Sequence, residues 1–284
     1  MSSKSGTLFV VATPIGNLED LTPRARQTLA EVDLIAAEDT RHTGRLLSHF
    51  GVKTRLLALH DHNEAELADK VIDMILAGQS VALVSDAGTP LVSDPGYRLV
   101  KAAHQRGVPV SPIPGASALT AALSAAGLAT DRFCFEGFLP AKKKARFDVL
   151  TSLRDEARTM VFYESVHRIE GAIAALCGVF GTNRSAYLGR ELTKMHEQCV
   201  YGTLGEIHAQ LLDGSIIKKG EFVIVVGGSL ETKTSSFDLD SLLVELSGKL
   251  PDKEVAKAIA RATGEKRNVL YQRLLDLAKS KRDS

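Results

Sequence analysis

At 284 residues the chain is longer than a single hydrophobic core usually organises, so two packed lobes, with or without an appendage, are expected. Apolar residues at 44% and charged residues at 24% exclude a largely disordered chain. A formal net charge of +1 means that any nucleic-acid-binding surface must be sought in local charge rather than in the total.

The three cysteines, Cys134, Cys177 and Cys199, have no paired spacing and no nearby histidine cluster, so neither a disulfide framework nor a zinc site is indicated. They read as buried thiols of a reducing compartment. The polar start and the lack of any apolar run near the roughly 18 residues that span a bilayer predict a cytoplasmic protein away from membranes.

Residues 8–12, 34–37, 55–59, 81–84 and 108–112 are short, apolar and β-branched, and read as strands. Amphipathic stretches fill the gaps. Thr22 before Pro23 is an N-cap followed by proline at the first helical position, and Asn63 opens a helix over 64–77 that ends at Gly78. This alternation builds a parallel sheet with helices on its faces.

A small-residue helix over 116–127 leads into a second unit with strands predicted at 133–138, 159–163, 186–189, 198–201 and 222–226. The last two runs have no evident helix between them, so a mixed sheet is expected there. Residues 230–237, rich in Ser, Thr and Lys without periodicity, mark a linker. Three amphipathic stripes follow: Leu239, Leu242, Leu243 and Leu246; Val255, Ile259 and Ala262, stopped by Gly264; and Val269, Leu270, Leu274 and Leu277. From Lys249 onward ten Lys or Arg stand against five Asp or Glu. The expected division is an α/β lobe over 1–115, a second α/β lobe over 116–229 and a small, basic helical domain over 238–284.

Three predicted strands end in unusual loops: Ala12-Thr13-Pro14-Ile15-Gly16-Asn17, Val84-Ser85-Asp86-Ala87-Gly88-Thr89-Pro90 and Pro112-Ile113-Pro114-Gly115-Ala116-Ser117. In a parallel sheet all three lie on the carboxyl edge, where ligands bind. Their glycines let backbone approach a ligand, their prolines stiffen it, and a helix start near Ser117 suits a carboxylate, a ribose or a phosphate. One such loop is compatible with a plain turn; three on one edge point to a ligand site. No Gly-x-Gly-x-x-Gly follows the first strand and no Gly-x-x-x-x-Gly-Lys-Ser/Thr occurs. Ordinary dinucleotide-binding dehydrogenases, P-loop enzymes and the common Rossmann-type methyltransferases are thereby disfavoured.

The stretch Gly16-Asn17-Leu18-Glu19-Asp20-Leu21-Thr22-Pro23-Arg24-Ala25 resembles the opening motif of the tetrapyrrole methylase superfamily, the class III S-adenosylmethionine-dependent methyltransferases. In that motif a Pro-Gly-Asp turn leads to Leu-Thr and a basic residue. Gly88-Thr89-Pro90 resembles the superfamily's Gly-Asp-Pro cofactor motif, and Pro114-Gly115-Ala116-Ser117 its next cofactor loop. Asn17 and Thr89 stand where the wider superfamily carries Asp, which speaks against a tetrapyrrole substrate. Ala37-Glu38-Asp39-Thr40-Arg41, the run 84–96 and Phe162-Tyr163-Glu164-Ser165-Val166-His167-Arg168 are similar to the superfamily's ribosomal RNA-methylating branch, and the resemblance spans essentially the whole chain.

The resemblance implies two α/β lobes with S-adenosylmethionine in the cleft between them, no metal, and a homodimer. It implies methyl transfer to the ribose 2′-hydroxyl of a cytidine in the decoding region of 16S rRNA, met as free rRNA or in the assembled small subunit. Carried over by position, it implies cofactor contacts from Pro14, Gly16, Ala87, Gly88, Thr89, Pro90, Ser117 and Ala118 in the first lobe and from Tyr163 and the Leu188-Gly189-Arg190-Glu191 strand end, Leu188 and Arg190 first, in the second. A carboxylate that removes or orients the hydroxyl proton would assist; Asp86 is the first candidate and Glu191 the second, with a turn-forming role equally open for Asp86.

Glu38, Asp39, Arg41 and His42 follow the second strand, where gripping RNA or shaping the cleft and helix capping by Asp39 or Thr40 are equally open. His60, Asp61 and His62 are adjacent in one loop, a poor arrangement for chelating one ion. Arg168 is a candidate phosphate partner, and Tyr163 either stacks or packs. RNA contacts are expected from Lys142, Lys143, Lys144 and Arg146 and from the tail's Lys253, Lys257, Arg261, Lys266, Arg267 and Arg273. With no Trp in the chain, readout by shape and phosphate geometry is expected over base stacking.

Overall fold

Five short runs pair side by side, the most apolar of them, β2 and β4, wholly buried: β1 (Leu8–Val11), β2 (Leu34–Ala37), β3 (Leu56–Ala58), β4 (Val81–Val84) and β5 (Val110–Ile113). They form a parallel sheet in the order β3-β2-β4-β1-β5. This is a computed structural model, and it describes residues 6–60, 62–229, 239–247 and 249–280. Asp61 and the linker expected at 230–237 lie outside the described residues. The chain divides into two units, Met1–Leu230 and Glu231–Ser284.

Side chains alternate across the first sheet and so build two cores. Leu8, Leu34, Ala36, Val81 and Leu83 pack against α3 (Glu64–Leu76) and α4 (Tyr97–Gln105), while Val11, Ile35, Ala37, Ala82 and Val84 pack against α1 (Pro23–Glu31) and α2 (Thr40–His49). Thr22 caps α1 as expected, its hydroxyl accepting from the Ala25 N–H at 3.1 Å. Asn63 stands at the start of α3 without capping it. Its side chain instead accepts from the His60 N–H at 2.8 Å and donates to the Ala58 carbonyl at 3.1 Å, closing the preceding turn.

After α5 (Ala118–Ala125) the second lobe runs β6 (Phe133–Phe138), α6 (Lys143–Ser152), β7 (Thr159–Ser165), α7 (Ile169–Phe180), β8 (Ser185–Arg190), β9 (Gln198–Thr203), α8 (Leu204–Asp213) and β10 (Glu221–Val226). The sheet order is β6-β7-β10-β8-β9; β6 and β7 are parallel and the other pairs antiparallel, so the sheet is mixed as expected. The reason differs from the expected one. A helix, α8, does stand between the last two strands, and it is β8 and β9 that join without one. The face carrying Met160, Phe162, Leu188, Phe222 and Ile224 packs on α7 and α8, and the face carrying Val161, Tyr187, Val223 and Val225 packs on α5.

The second unit contains α9 (Leu239–Ser247), α10 (Asp252–Thr263) and α11 (Arg267–Ser280) around Leu243, Val255, Ile259, Leu270 and Leu274. Ala262 and Val269, expected on the apolar stripes, are exposed. Cys134 and Cys177 are half-buried, and Cys199, expected as a buried thiol, is exposed on β9. Among the described residues no helix is long and apolar enough to cross a membrane.

Candidate functional site

Because β4, β1 and β5 are parallel neighbours, the three unusual loops meet at one edge, and hydrogen bonds stitch them together. The Thr13 N–H donates to the Gly88 carbonyl at 2.9 Å, and the Gly88 N–H returns a bond to the Thr13 carbonyl at 3.1 Å. The Thr89 hydroxyl donates to the Ala116 carbonyl at 3.1 Å, tying the second loop to the third. Gly88 has φ +82°, a left-handed conformation open to glycine, and a Cβ there would stand 3.2 Å from the Ile15 side chain.

Between these loops and the second sheet lies a cavity of about 320 Å³, within the size range of small-molecule sites. Ala87, Gly88, Thr89, Ser117, Ala118 and Tyr163 line it, six of the positions expected to touch a cofactor. The Tyr163 hydroxyl accepts from the Leu119 N–H at 3.0 Å, satisfying a donor that the first turn of α5 leaves without an intrahelical partner. Its ring stands edge-on to Phe135 at 4.8 Å and Phe138 at 5.7 Å. Burial, reinforced by the nearby Asp94 charge, pushes the Tyr163 hydroxyl up, so it stays protonated.

The remaining expected positions, Gly189 apart, stand off the cavity wall. Pro14, Gly16 and Pro90 belong to the loop frame behind it. A Cβ at Gly16 would overlap the Lys194 stem, standing 3.0 Å from its Cε, so a lysine from the second lobe stands against one side of this otherwise exposed glycine. Leu188 is fully buried among the α7 and α8 contacts on the far face; its neighbour Gly189 lines the cavity. Arg190 is 5% exposed, with Nε donating to the Lys219 carbonyl and Nη1 to the His196 carbonyl, both at 2.7 Å, so its guanidinium secures two loops.

Neither expected proton acceptor reaches the cavity. Asp86 Oδ1 accepts from the Asp39 N–H at 3.0 Å, tying the end of β4 to the start of α2, a bond to a neighbouring loop rather than to its own turn. Glu191 accepts from Lys194 Nζ at 2.8 Å and from the Glu221 N–H at 2.9 Å. Partial burial raises the Glu191 carboxyl, but the Lys194 ammonium and the Glu221 N–H outweigh it and hold the group below the ordinary range.

The cavity wall instead carries three carboxylate residues absent from the expected set: Asp94, Glu164 and Glu221. The Glu164 side chain is wholly buried, 3.3 Å from Arg168 Nη2, and burial pushes its carboxyl up. Glu221 is held at the rim by Lys194 at 3.0 Å, with its side chain 79% exposed. Asp94 follows a turn in which Leu91 and Ser93 have φ of 72° and 67°, an uncommon conformation for non-glycine residues that clusters at functional sites. The Ser93-Asp94-Pro95-Gly96 run is the signal that marks this turn in the sequence.

Of the charged residues expected to meet RNA, Lys142, Lys143 and Lys144 are exposed and Arg146 is half-buried. Arg168 is committed to Glu164 and to the Leu139 carbonyl rather than offered to a phosphate. Asp39 caps α2 through the Arg41 N–H at 2.8 Å, and the Arg41 side chain holds its carboxyl well below the usual range. Arg273 pairs with Asp240 at 2.6 Å within the helical unit.

Residues 7–208 match the family of Tetrapyrrole (Corrin/Porphyrin) Methylases, and residues 234–278 match the RsmI C-terminal HTH domain. The ribosomal RNA small subunit methyltransferase I of Xylella fastidiosa is 50% identical over 270 residues, covering 95% of this chain and 99% of its own. That of Escherichia coli O157:H7 is 48% identical over 276 residues, covering 96% of each. Among solved structures, uroporphyrin-III C-methyltransferase from Thermus thermophilus complexed with S-adenyl homocysteine aligns at a TM-score of 0.55 and 20% identity, over 78% of this chain and 97% of its own. A diphthine synthase aligns at 0.58 and 17%, over 80% and 92%. At these identities the solved structures establish the fold alone. The end-to-end identity to the rRNA enzymes goes further: the chain belongs to the tetrapyrrole methylase family, in its ribosomal RNA small subunit methyltransferase I branch.

Proposed function

We propose that this protein is an S-adenosylmethionine-dependent methyltransferase of 16S rRNA that modifies the ribose 2′-hydroxyl of a cytidine in the decoding region. The observation that carries this reading is identity near 50% to rRNA small subunit methyltransferases I from end to end, across the helical tail as well as the two lobes. The cavity suits the cofactor. Its wall combines backbone at Gly88 and Ala118, hydroxyls at Ser117 and Tyr163, apolar contacts at Ile15 and Leu192, and a carboxylate at Asp94, a set matching an adenosine and an amino-acid group joined by a sulfonium.

When bound, S-adenosylmethionine supplies an electrophilic methyl group. The chain's task is to hold the ribose oxygen in line with that methyl, and positioning of this kind supplies much of an enzyme's acceleration. Ala87, Gly88, Thr89, Ser117, Ala118 and Tyr163 are assigned to the cofactor directly, with Pro14, Gly16 and Pro90 fixing the loops that carry them. Leu188 and Arg190 hold the strand end behind Gly189. Asp86 and Glu191 are assigned to loop and rim contacts, because each is already bound to other groups. Glu164 is turned to Arg168 and Glu221 to Lys194; Asp94, placed on the cavity wall beyond the positive-φ turn at Leu91 and Ser93, is assigned to orient the ribose hydroxyl and receive its proton.

The lobes over 1–115 and 116–229 are assigned to catalysis and the basic domain over 238–284 to RNA. The same family resemblance carries a homodimer and a cytoplasmic location. Incubation with methyl-labelled cofactor and either free 16S rRNA or small subunits, followed by mapping of the labelled nucleotide, tests the reading. A label on a decoding-region cytidine ribose supports it, and label on a base, on protein or on no RNA rejects it.

A further inference from the structure

We propose that Phe138 is a stacking platform for a base of the substrate strand, and that the adjoining face of α6, bearing Lys143, Lys144 and Phe147, carries the phosphates that lead to it. The partner is a single-stranded RNA segment. This rests on the rRNA reading above and deepens it by naming where the strand lies.

Phe138 ends β6 on the cavity wall, yet its side chain is 54% exposed, an unusual state for a phenylalanine beside a well-formed core. The ring is not loose. It stands edge-on to Tyr163 at 5.7 Å with an interplanar angle of 69°, and Tyr163 is in turn pinned by Phe135 and by its bond from the Leu119 N–H. A fixed aromatic ring with one open side at the mouth of a nucleoside-sized cavity is the geometry on which bases stack.

Its orientation depends on an irregularity in β6. Phe135 pairs with Val161, but Gly137 pairs with Phe162 and Phe138 with Tyr163, so Glu136 is an extra residue. Strand neighbours alternate faces, and without this bulge Phe138 would point to the α7 side of the sheet. The bulge returns it to the face shared by Phe135 and Tyr163. Gly137 takes φ +66° to allow this.

Charge follows immediately. Lys142 lies four residues beyond Phe138, within a chain reach of about 14 Å, and Lys142, Lys143 and Lys144 are all exposed. None of the three pairs with a carboxylate among the described residues. On α6, Lys143 and Lys144 precede Phe147 by four and three positions, which places all three on one face, and Phe147 is 51% exposed. Asp148 is the only acidic residue on that helix. Exposed lysines interleaved with exposed aromatic rings form the groove type that tracks a single strand without reading its sequence. The scarcity of aromatic residues in the composition therefore concealed a platform at the one place where a base would use it.

The test uses the full chain with small subunits and labelled cofactor, alongside calorimetry of S-adenosylhomocysteine binding to the free protein. Phe138→Ala should lower kcat/KM for the subunit by roughly 5- to 150-fold, the loss of one stacked base, well beyond any change in S-adenosylhomocysteine affinity. Phe138→Tyr and Phe138→Trp should restore it, while Phe138→Leu should not. The Lys143→Glu/Lys144→Glu double variant should weaken binding and flatten its salt dependence by about one unit of slope per lost phosphate contact. The proposal is overturned if Phe138→Leu works as well as the aromatic variants, or if Phe138→Ala changes kcat/KM only as much as it changes cofactor affinity. Failure of the unaltered protein to label rRNA would overturn the functional reading along with it, whereas labelling with an indifferent Phe138→Ala overturns this proposal alone.

Discussion

The contact between Gly16 and Lys194 joins the first cofactor loop to the second lobe, and replacing Gly16 with Ala tests it. The new Cβ would overlap Lys194 Cγ and lie 3.0 Å from Cε, so the lysine must leave its seat. Its ammonium is then pulled from Glu191 Oε1, now at 2.8 Å, and from Glu221 Oε2, now at 3.0 Å. Overpacking of this kind costs about 1–3 kcal/mol. The Glu221 pair adds little, because its carboxylate is 79% exposed and solvent screens it, and such pairs are worth about 0–1 kcal/mol; the Glu191 pair, with side chains 27% and 18% exposed, is better sheltered. Gly16→Ala alone should therefore destabilise by about 1–3 kcal/mol, and Lys194→Ala, which takes the cation from the sheltered Glu191 carboxylate, by about 1 kcal/mol or more. In the double variant the space left by the lysine accepts the methyl group, so it should cost no more than Lys194→Ala. Urea denaturation of the four proteins measures the coupling. Additivity within about 0.5 kcal/mol would show that the two residues do not meet. If Gly16→Ala abolishes S-adenosylhomocysteine binding whether or not Lys194 is present, the glycine is reserved for the cofactor instead.

Three further outcomes are expected. Glu191 has a folded-state carboxyl held below its unfolded value of about 4.3, so the stability it contributes is present at neutral pH and disappears as pH falls through the folded value. Thermal melts should accordingly show Glu191→Gln less stable than the parent at neutral pH, with the gap closing in acid; a gap independent of pH refutes the ionic role. Asp94→Asn should depress single-turnover methyl transfer by roughly 100-fold or more, the usual range for a lost acid–base group, whereas Asp86→Asn keeps an oxygen for the Asp39 N–H and should transfer at close to the parent rate. The reverse ranking would return the proton to Asp86. A chain ending at residue 229 retains both lobes, while the tail has a core of its own around Leu243, Ile259 and Leu270. It should bind S-adenosylhomocysteine with near-parent affinity in calorimetry and lose rRNA affinity in filter binding; equal loss of both argues against an RNA role for the tail.

The first lobe was readable because its signals are local. Each strand is a closed apolar run, and each cofactor loop sits directly after one, so parallel pairing alone brings Thr13, Gly88 and Ala116 together. The second-lobe wall was harder to read because strand parity decides which residue faces the cavity. Leu188 and Gly189 differ by one position and point to opposite sides, and only the pairing of β8 with β10 settles which is which. Phe138 was hidden by the bulge at Glu136 for the same reason. The partner of Asp86, the Asp39 N–H, leaves no local mark because it lies 47 residues away. Helix α8 does carry a local mark: Thr203-Leu204-Gly205-Glu206 is a capping box, and both of its reciprocal bonds are present.

The place of β1 within its sheet has a consequence for synthesis. Leu8 pairs on one side with Val81 and on the other with Val110, so the strand made first has neither neighbour when it leaves the ribosome. At about 5–20 residues per second, roughly 5–20 s pass before β5 exists to close the second side. Until β4 is made Leu-Phe-Val-Val presents two unpaired edges, and one stays open until β5 follows, the feature that makes nascent parallel sheets slow and prone to association. Chaperone dependence of newly made protein should therefore centre on the first lobe, and slowing translation between β1 and β5 should lower soluble yield more than slowing it after β5.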